Sequence, residues 1–158
     1  LQKENDIVII EGAGSPAEIN IAKYDIANML LAQKTKAPVL IVADIERGGC
    51  FASIVGTMQL LKPAHRTLVK GFLINKFRGD ITILAPAIKE IQRMTKKRVL
   101  GVIPKIEFDL PEEDSLVGGG GNKTESLSRE SWNWQIDLVA KAIKESADME
   151  RISEITGL

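Results

Sequence analysis

The stretch 37–61, "APVLIVADIERGGCFASIVGTMQLL", joins an apolar segment, a charged turn and a helical pattern. Residues 38–43 are apolar throughout rather than alternating, which is typical of a strand covered on both faces of a parallel sheet. Apolar residues then recur at spacings of three and four over 50–61, which predicts an amphipathic helix. The succession of strand, turn and helix predicts an α/β fold.

The same alternation continues on both sides of this stretch. Apolar runs predict further strands at 7–10, 71–75 and 99–103, and helical spacing predicts helices at 21–34, 82–95 and 131–146. Pro63 is predicted to end the helix at 50–61, and Asp80 to cap the helix at 82–95. We therefore expect a parallel sheet with flanking helices and right-handed crossovers. In the last helix, the residues expected to face inward are Trp134, Ile136, Val139 and Ile143.

Composition excludes several classes of protein. The chain has 21 basic and 21 acidic residues, and a net charge of zero argues against an extended nucleic-acid surface. The apolar run at 37–43 is too short to span a membrane. A single cysteine excludes an internal disulfide, and a single histidine leaves little for a Cys/His zinc site. These features predict a cytoplasmic protein that binds neither nucleic acid nor membrane.

Polar residues gather where the predicted strands end. Ligands bind at the carboxyl ends of the strands in doubly wound sheets, and hard oxygen ligands, cations and glycines suit magnesium and phosphate chemistry. Polar turns are also common in α/β proteins, so each loop taken singly is better explained by structure, but four such loops on one rim favour a site. The polar residues at the four ends include Glu11, Asp44, Glu46, Arg47, Asn75, Lys76, Arg78 and Asp80.

Several segments carry a specific resemblance. "EGAGSPAEINIAKYDIANM" (11–29), "VADIERGGCFASIVGT" (42–57) and "GFLINKFRGD" (71–80) resemble the signature segments of the cobyric acid synthase family. "GVIPKIEFDLPEEDSL" (101–116) resembles the segment that follows them, so the resemblance runs almost end to end. The wider relatives are cobyrinic acid a,c-diamide synthase and dethiobiotin synthetase, which share a P-loop nucleotide-binding fold and activate a carboxylate with ATP.

The resemblance implies an ATP- and glutamine-dependent amidotransferase of cobalamin biosynthesis. Such a ligase amidates four peripheral carboxylates of adenosylcobyrinic acid a,c-diamide. A carboxylate is phosphorylated in the presence of Mg²⁺, and ammonia from glutamine then attacks it. The alternatives are a related carboxylate-activating ligase, either cobyrinic acid a,c-diamide synthase or dethiobiotin synthetase, and a non-catalytic P-loop-like scaffold.

The resemblance also implies roles for individual residues. Glu11 and Asp44 would bind Mg²⁺ and act in catalysis, although an exposed turn carboxylate and a salt bridge between Asp44 and Arg47 are the structural alternatives. Asn75 would read the adenine edge, and Pro104 would form a wall of the adenine pocket. Asp25 and Asn28 match the family too, but a helix-surface pair explains them nearly as well. The residues expected to contact the substrate are Gly12, Ala13, Gly14, Ser15 and Arg47.

A phosphate loop of the form GxxxxGK[ST] does not occur in the sequence. The glycine-rich stretch "VGGGGNKTES" (117–126) resembles such a loop but is not one, because it follows no predicted strand. We therefore expect residues 1–158 to be the later half of a synthetase domain, lacking the phosphate-loop strand between 7–10 and 38–43. A long loop at about 104–130 and C-terminal helices at 131–158 would lead to an absent glutaminase domain. The isolated chain is expected to be inactive and to associate through exposed sheet edges.

Cys50 and His65 offer a competing interpretation as a catalytic pair. A thiol at a helix N-terminus can have a lowered pKa, but a cysteine glutaminase also needs a nearby base. The only histidine, His65, lies beyond the same predicted helix. We therefore expect Cys50 not to be catalytic and His65 to lie on the surface.

Overall fold

The computed structural model describes residue 1 and residues 3–107 and 128–157. Three strands, β1 (Val39–Asp44), β2 (Val69–Phe77) and β3 (Arg98–Pro104), form a parallel sheet in the order β1-β2-β3. The predicted α/β fold with a parallel sheet is confirmed. Most of the predicted loop at 104–130, including the glycine-rich stretch at 117–126, lies outside the described residues.

Helices connect and flank these strands. The predicted helices at 50–61, 82–95 and 131–146 are confirmed, the second after one turn of 3-10 helix at Ile81–Leu84. Pro63 lies in the first turn of a further helix, where its missing N–H would have no intrahelical partner. In the described part of the chain no helix combines the length and apolar character needed to cross a membrane. The helices are α1 (Met29–Thr35), α2 (Cys50–Leu60), α3 (Pro63–Leu68), α4 (Ala85–Thr95), α5 (Arg129–Ser146) and α6 (Met149–Thr156).

The core forms around the central strand β2. Val69, Phe72 and Ile74 of this strand are completely buried, and Ile54 and Met58 of α2 belong to the same apolar cluster. Full burial of one such side chain stabilises a fold by roughly 1.5–3 kcal/mol. This packing joins the sheet and α2 in one core.

The predicted strand at 7–10 is wrong. These residues pair with no strand in the described part of the chain, and Ile9 is 86% exposed. A strand requires a ladder partner for its backbone groups, and an apolar run alone does not supply one. The segment therefore presents apolar side chains to solvent instead of entering the core.

The predicted helix at 21–34 begins later than expected, at Met29. The carboxylate of Asp25 accepts hydrogen bonds from the backbone N–H groups of Asn28 at 2.8 Å and Met29 at 2.9 Å. This caps the N–H groups that open α1, so the helix starts there and residues 16–28 form turns. Ile26, expected on the inner helix face, is 83% exposed.

Three further side-chain predictions are wrong. Trp134 and Ile136 of α5 are 65% and 49% exposed, whereas Val139 and Ile143 are partly buried. The inward stripe of α5 is therefore narrower than its apolar residues suggest. His65 is buried, and its Nε2 lies 3.1 Å from Oε1 of Gln33, because α3 packs against α1.

Candidate functional site

The strand register brings three predicted site residues to one edge of the sheet. Asp44, the last residue of β1, pairs with Asn75 of β2, and Phe77 at the end of β2 pairs with Pro104 at the end of β3. The N–H of Ile45 donates to the carbonyl of Asn75 at 3.1 Å, which extends the pairing past β1. Asp44, Asn75 and Pro104 are therefore neighbours at the carboxyl ends of the strands, as the sequence predicted.

Charged side chains form a network at this edge, which we call the strand-end cluster. Oδ2 of Asp44 lies 2.9 Å from Nζ of Lys76 and 4.0 Å from Nε of Arg47, while Oδ1 accepts the N–H of Glu46 at 2.9 Å. The hydrogen bond from Lys76, more than any other contact, holds the pKa of Asp44 below its usual range. The cluster consists of Asp44, Glu46, Arg47, Lys76, Arg78 and Lys105.

Glu46 is the second carboxylate of the strand-end cluster. Its Oε1 accepts a hydrogen bond from the guanidinium of Arg78 at 3.1 Å and another from Nζ of Lys105. The contact with Lys105 is the main reason why the pKa of Glu46 is lowered. Sequence reasoning did not give Glu46 or Lys105 a role. Opposite charges placed just after adjacent parallel strands are the signal that could have found this contact.

Arg47 and Asn75 retain free binding capacity. The side chain of Arg47 is 87% exposed, and its contact with Asp44 lies at the outer limit for an ion pair. Oδ1 of Asn75 accepts the N–H of Lys76 at 2.9 Å, and its amide nitrogen has no hydrogen-bond partner among the described residues. One donor group and a second lone pair on the oxygen therefore remain for a ligand.

The loop at 12–15 is held by the turn that precedes α1. Nδ2 of Asn28 donates to the carbonyl of Ala13 at 2.7 Å. A Cβ on Gly12 would lie 2.2 Å from Oδ1 of Asn28, so a larger residue here would displace the Asn28 side chain. Gly14 has a φ of 63°, the left-handed region that glycine adopts without strain. Ala13, Gly14 and Ser15 of the loop border a depression that Asp25 and Asn28 also line.

Glu11 lies before this loop and is exposed. Within the described part of the chain, no hydrogen bond or ion pair joins Glu11 to the strand-end cluster. The segment directly before it, 7–10, is outside the sheet. The role of Glu11 at the metal stays a prediction.

Comparison with known proteins identifies the family to which the chain belongs. Residues 1–110 match the model of a family described as an AAA domain. The chain belongs to this AAA domain family. Among solved structures, none gives a significant match to the chain.

Curated relatives of this AAA domain are cobyric acid synthases. The chain is 60% identical to the probable cobyric acid synthase of Thermococcus kodakarensis over 117 residues, which cover 74% of this chain and 24% of the relative. It is 54% identical to that of Photorhabdus laumondii over 117 residues, with 74% and 23% covered. For Yersinia enterocolitica the identity is 49% over 129 residues, with 82% and 25% covered. The chain thus spans about a quarter of the length of these relatives.

The AAA domain offers carboxylates suited to magnesium. No group of three or more His, Cys, Asp or Glu side chains in the described ranges could hold a metal ion by itself. Mg²⁺ is usually bound through one or two carboxylates together with substrate phosphates and water, so such a group is not required. Asp44, with its carboxylate ionised at the sheet edge, fits this chemistry, directly or through water.

Cys50 opens α2 beside the strand-end cluster and is not suited to nucleophilic catalysis. The residue is only 4% exposed. Burial, and to a smaller extent the charge of Asp44, raises the pKa of the Cys50 thiol. A buried, protonated thiol is a poor nucleophile, which agrees with the sequence interpretation.

Proposed function

We propose that this chain is the nucleotide-binding part of a cobyric acid synthase, a ligase that amidates the peripheral carboxylates of adenosylcobyrinic acid a,c-diamide. The observation that carries the proposal is 54–60% identity to cobyric acid synthases over 74% of the chain. The strand-end geometry adds support because Asp44, Asn75 and Pro104 meet where ligands bind in α/β sheets. The protein acts in cobalamin biosynthesis in the cytoplasm.

Asn75 and Pro104 form the nucleotide side of the proposed site. The free amide nitrogen of Asn75 donates to the adenine edge, and its oxygen accepts through the remaining lone pair. Pro104, exposed at the end of β3, forms a wall against the base. These two residues orient ATP without taking part in the chemistry.

Glu11 and Asp44 form the metal side of the site and would hold Mg²⁺. MgATP, when bound, supplies the phosphoryl group that activates a substrate carboxylate. Asp44 is a carboxylate at neutral pH, and its hydrogen bond from Lys76, which lowers its pKa, keeps it ionised to a more acidic pH, so it can serve as an oxygen ligand or orient a metal-bound water.

Arg47 and the loop of Gly12, Ala13, Gly14 and Ser15 form the substrate side. The exposed guanidinium of Arg47 suits bidentate contact with a carboxylate or phosphate. The small side chains of the loop leave its backbone N–H groups accessible to an anionic group. A corrinoid with several carboxylates presents groups of this kind.

The complete reaction requires parts that this sequence does not supply. A phosphate loop is needed to hold the triphosphate, and no GxxxxGK[ST] motif occurs in the 158 residues. A class I glutaminase domain would supply ammonia from glutamine. The 158 residues alone are therefore proposed not to turn over, and the edge of β1, which pairs with no strand in the described part of the chain, favours their association.

Nucleotide turnover by the full-length protein that carries this chain tests the proposal. ADP release should be stimulated by cobyrinic acid a,c-diamide with glutamine, and not by cobyrinic acid or diaminopelargonic acid. An Asn75→Ala variant should raise the KM for ATP, while Asn133→Ala, on the exposed surface of α5, should not. Stimulation by cobyrinic acid or by diaminopelargonic acid instead would assign the chain to one of the related ligases.

A further inference from the structure

Glu46 links the chain segments that follow all three strands of the sheet. It lies in the turn after β1, Arg78 follows β2, and Lys105 follows β3. Both cations contact the same oxygen, Oε1 of Glu46. No other side-chain ion pair in the described ranges joins three strand ends, since Asp44 and Lys76 connect only β1 and β2.

The residues linked in this way carry the two sides of the proposed site. Asp44 lies two positions before Glu46, Asn75 three positions before Arg78, and Pro104 directly before Lys105. Among the described residues, two backbone hydrogen bonds past the strand pairing hold the same segments together, from Ile45 N–H to the Asn75 carbonyl and from Lys105 N–H to the Phe77 carbonyl, the latter at 2.8 Å. The spacing between the metal side and the nucleotide side thus depends on side chains as well as on the sheet.

We propose that Glu46 is a positioning residue that sets the distance between Asp44 on the metal side and the adenine-binding pair Asn75 and Pro104. The inference rests on the proposed function. Glu46 itself touches no ligand. It acts by holding Arg78 and Lys105, and through them the ends of β2 and β3, against the turn that carries Asp44.

The opposing interpretation is that these are ordinary surface ion pairs. Exposed pairs contribute little to stability, and many contribute nothing measurable. The side chain of Lys105 is 28% exposed and that of Glu46 38%, so they are less accessible than the helical pair of Glu90 and Arg93, at 52% and 68%. The two interpretations differ in what they predict for ligand binding rather than for unfolding.

The test compares Glu46→Gln with Glu90→Gln in the full-length protein. Both changes remove one carboxylate from an ion pair with arginine, but the second pair lies within α4, away from the strand ends. Glu46→Gln should weaken MgATP binding about tenfold by calorimetry, the combined effect of two pairs, with kcat at saturating ATP close to wild type. Glu90→Gln should leave both values unchanged.

Two further measurements separate positioning from folding. Lys105→Met removes one of the two contacts of Glu46 and should weaken MgATP binding about threefold, and it replaces Glu46→Gln if that variant does not fold. Amide hydrogen exchange of the free protein should accelerate at Ile45 and Lys105 in Glu46→Gln and not in Glu90→Gln.

Three outcomes would contradict the inference. MgATP affinity within twofold of wild type in both Glu46→Gln and Lys105→Met overturns the positioning role and leaves the proposed function intact. A wild-type protein that binds no MgATP contradicts the proposed function and this inference with it. Weaker binding in Glu46→Gln with an equal loss in Glu90→Gln also overturns the inference, because the effect would then not be specific to the strand ends.

Discussion

Asp44 and Glu46 show how neighbouring cations lower the pKa of the carboxylates at a site. Asp44 is stabilised as a carboxylate chiefly by the hydrogen bond from Lys76, and Glu46 by that from Lys105. Both acids are close enough to repel each other slightly, an effect smaller than that of the cations. Both carboxylates therefore stay ionised to a more acidic pH than isolated Asp and Glu side chains would.

The lowered pKa of Asp44 predicts a specific pH response. Its contribution to stability is fully present above 3.8, the ordinary value, and is lost as the pH falls through the lowered pKa. In Lys76→Met the main cause of the shift is absent, so the carboxyl titration followed by carbon NMR should move up towards 3.8.

Asp80 provides the control for this titration. Its pKa is lowered mainly by the backbone N–H of Thr82, which does not involve Lys76, so its midpoint should not change. An Asp44 midpoint that stays low in Lys76→Met would show that Lys76 is not the main cause.

The structural role of a single residue could be predicted from the sequence where its hydrogen-bond partner lies close along the chain. Asp80 is a cap as expected, although of the 3-10 turn at Ile81–Leu84 that leads into α4: its side chain accepts the N–H of Thr82 at 2.9 Å. Asp25 is a similar local cap, at the start of α1, but the apolar spacing of 21–34 predicted a helix that begins earlier. The contacts of Glu46 with Arg78 and Lys105 could not be predicted, because they depend on which strands are adjacent and in what register.

Among the secondary-structure elements, an apolar segment was correctly predicted as a strand where a neighbouring strand pairs with it. β2 pairs with both β1 and β3, whereas 7–10 has an equally apolar sequence and no partner in the described ranges. The composition of a segment indicates which side chains it can bury. It does not indicate whether a neighbouring strand is present to form hydrogen bonds with its backbone. Whether an apolar segment forms a strand is thus decided by its pairing in the tertiary structure.

The junction of α5 with β3 provides a prediction about packing. A Cβ on Gly101 would lie 2.7 Å from the carbonyl oxygen of Ser146 and 2.8 Å from Cα of Ala147, both main-chain atoms. The N–H of Asp148 donates to the carbonyl of Leu100 at 2.6 Å beside this contact. Gly101→Val should therefore push the end of α5 away from β3 and lower the free energy of unfolding by about 2 kcal/mol.

Gly56 is the matched control. It lies in α2, and a Cβ there would meet no atom within 4 Å. Gly56→Ala should leave stability unchanged or raise it by up to about 1 kcal/mol. In thermal unfolding, Gly101→Val should melt about 4–8 °C lower than wild type. Equal melting temperatures for Gly101→Val and wild type would contradict the close packing of α5 on β3.

For the whole molecule, the fold class and the location of the site follow from general rules. Uniformly apolar strands alternating with amphipathic helices indicate a parallel sheet, and the ends of parallel strands share one edge, which places Asp44, Asn75 and Pro104 together. The position of Glu11 relative to that edge does not follow from these rules, because 7–10 does not join the sheet. The metal site as a pair of Glu11 and Asp44 therefore remains a prediction for the full-length protein.

The most direct test of this account is the product formed by the full-length protein with ATP, Mg²⁺ and glutamine labelled with nitrogen-15 in its amide. Given cobyrinic acid a,c-diamide, mass spectrometry should find a corrinoid with four labelled amides, formed together with ADP. A corrinoid recovered without label while the enzyme consumes ATP, or label incorporated only when cobyrinic acid is offered instead, would contradict the assignment to cobyric acid synthesis.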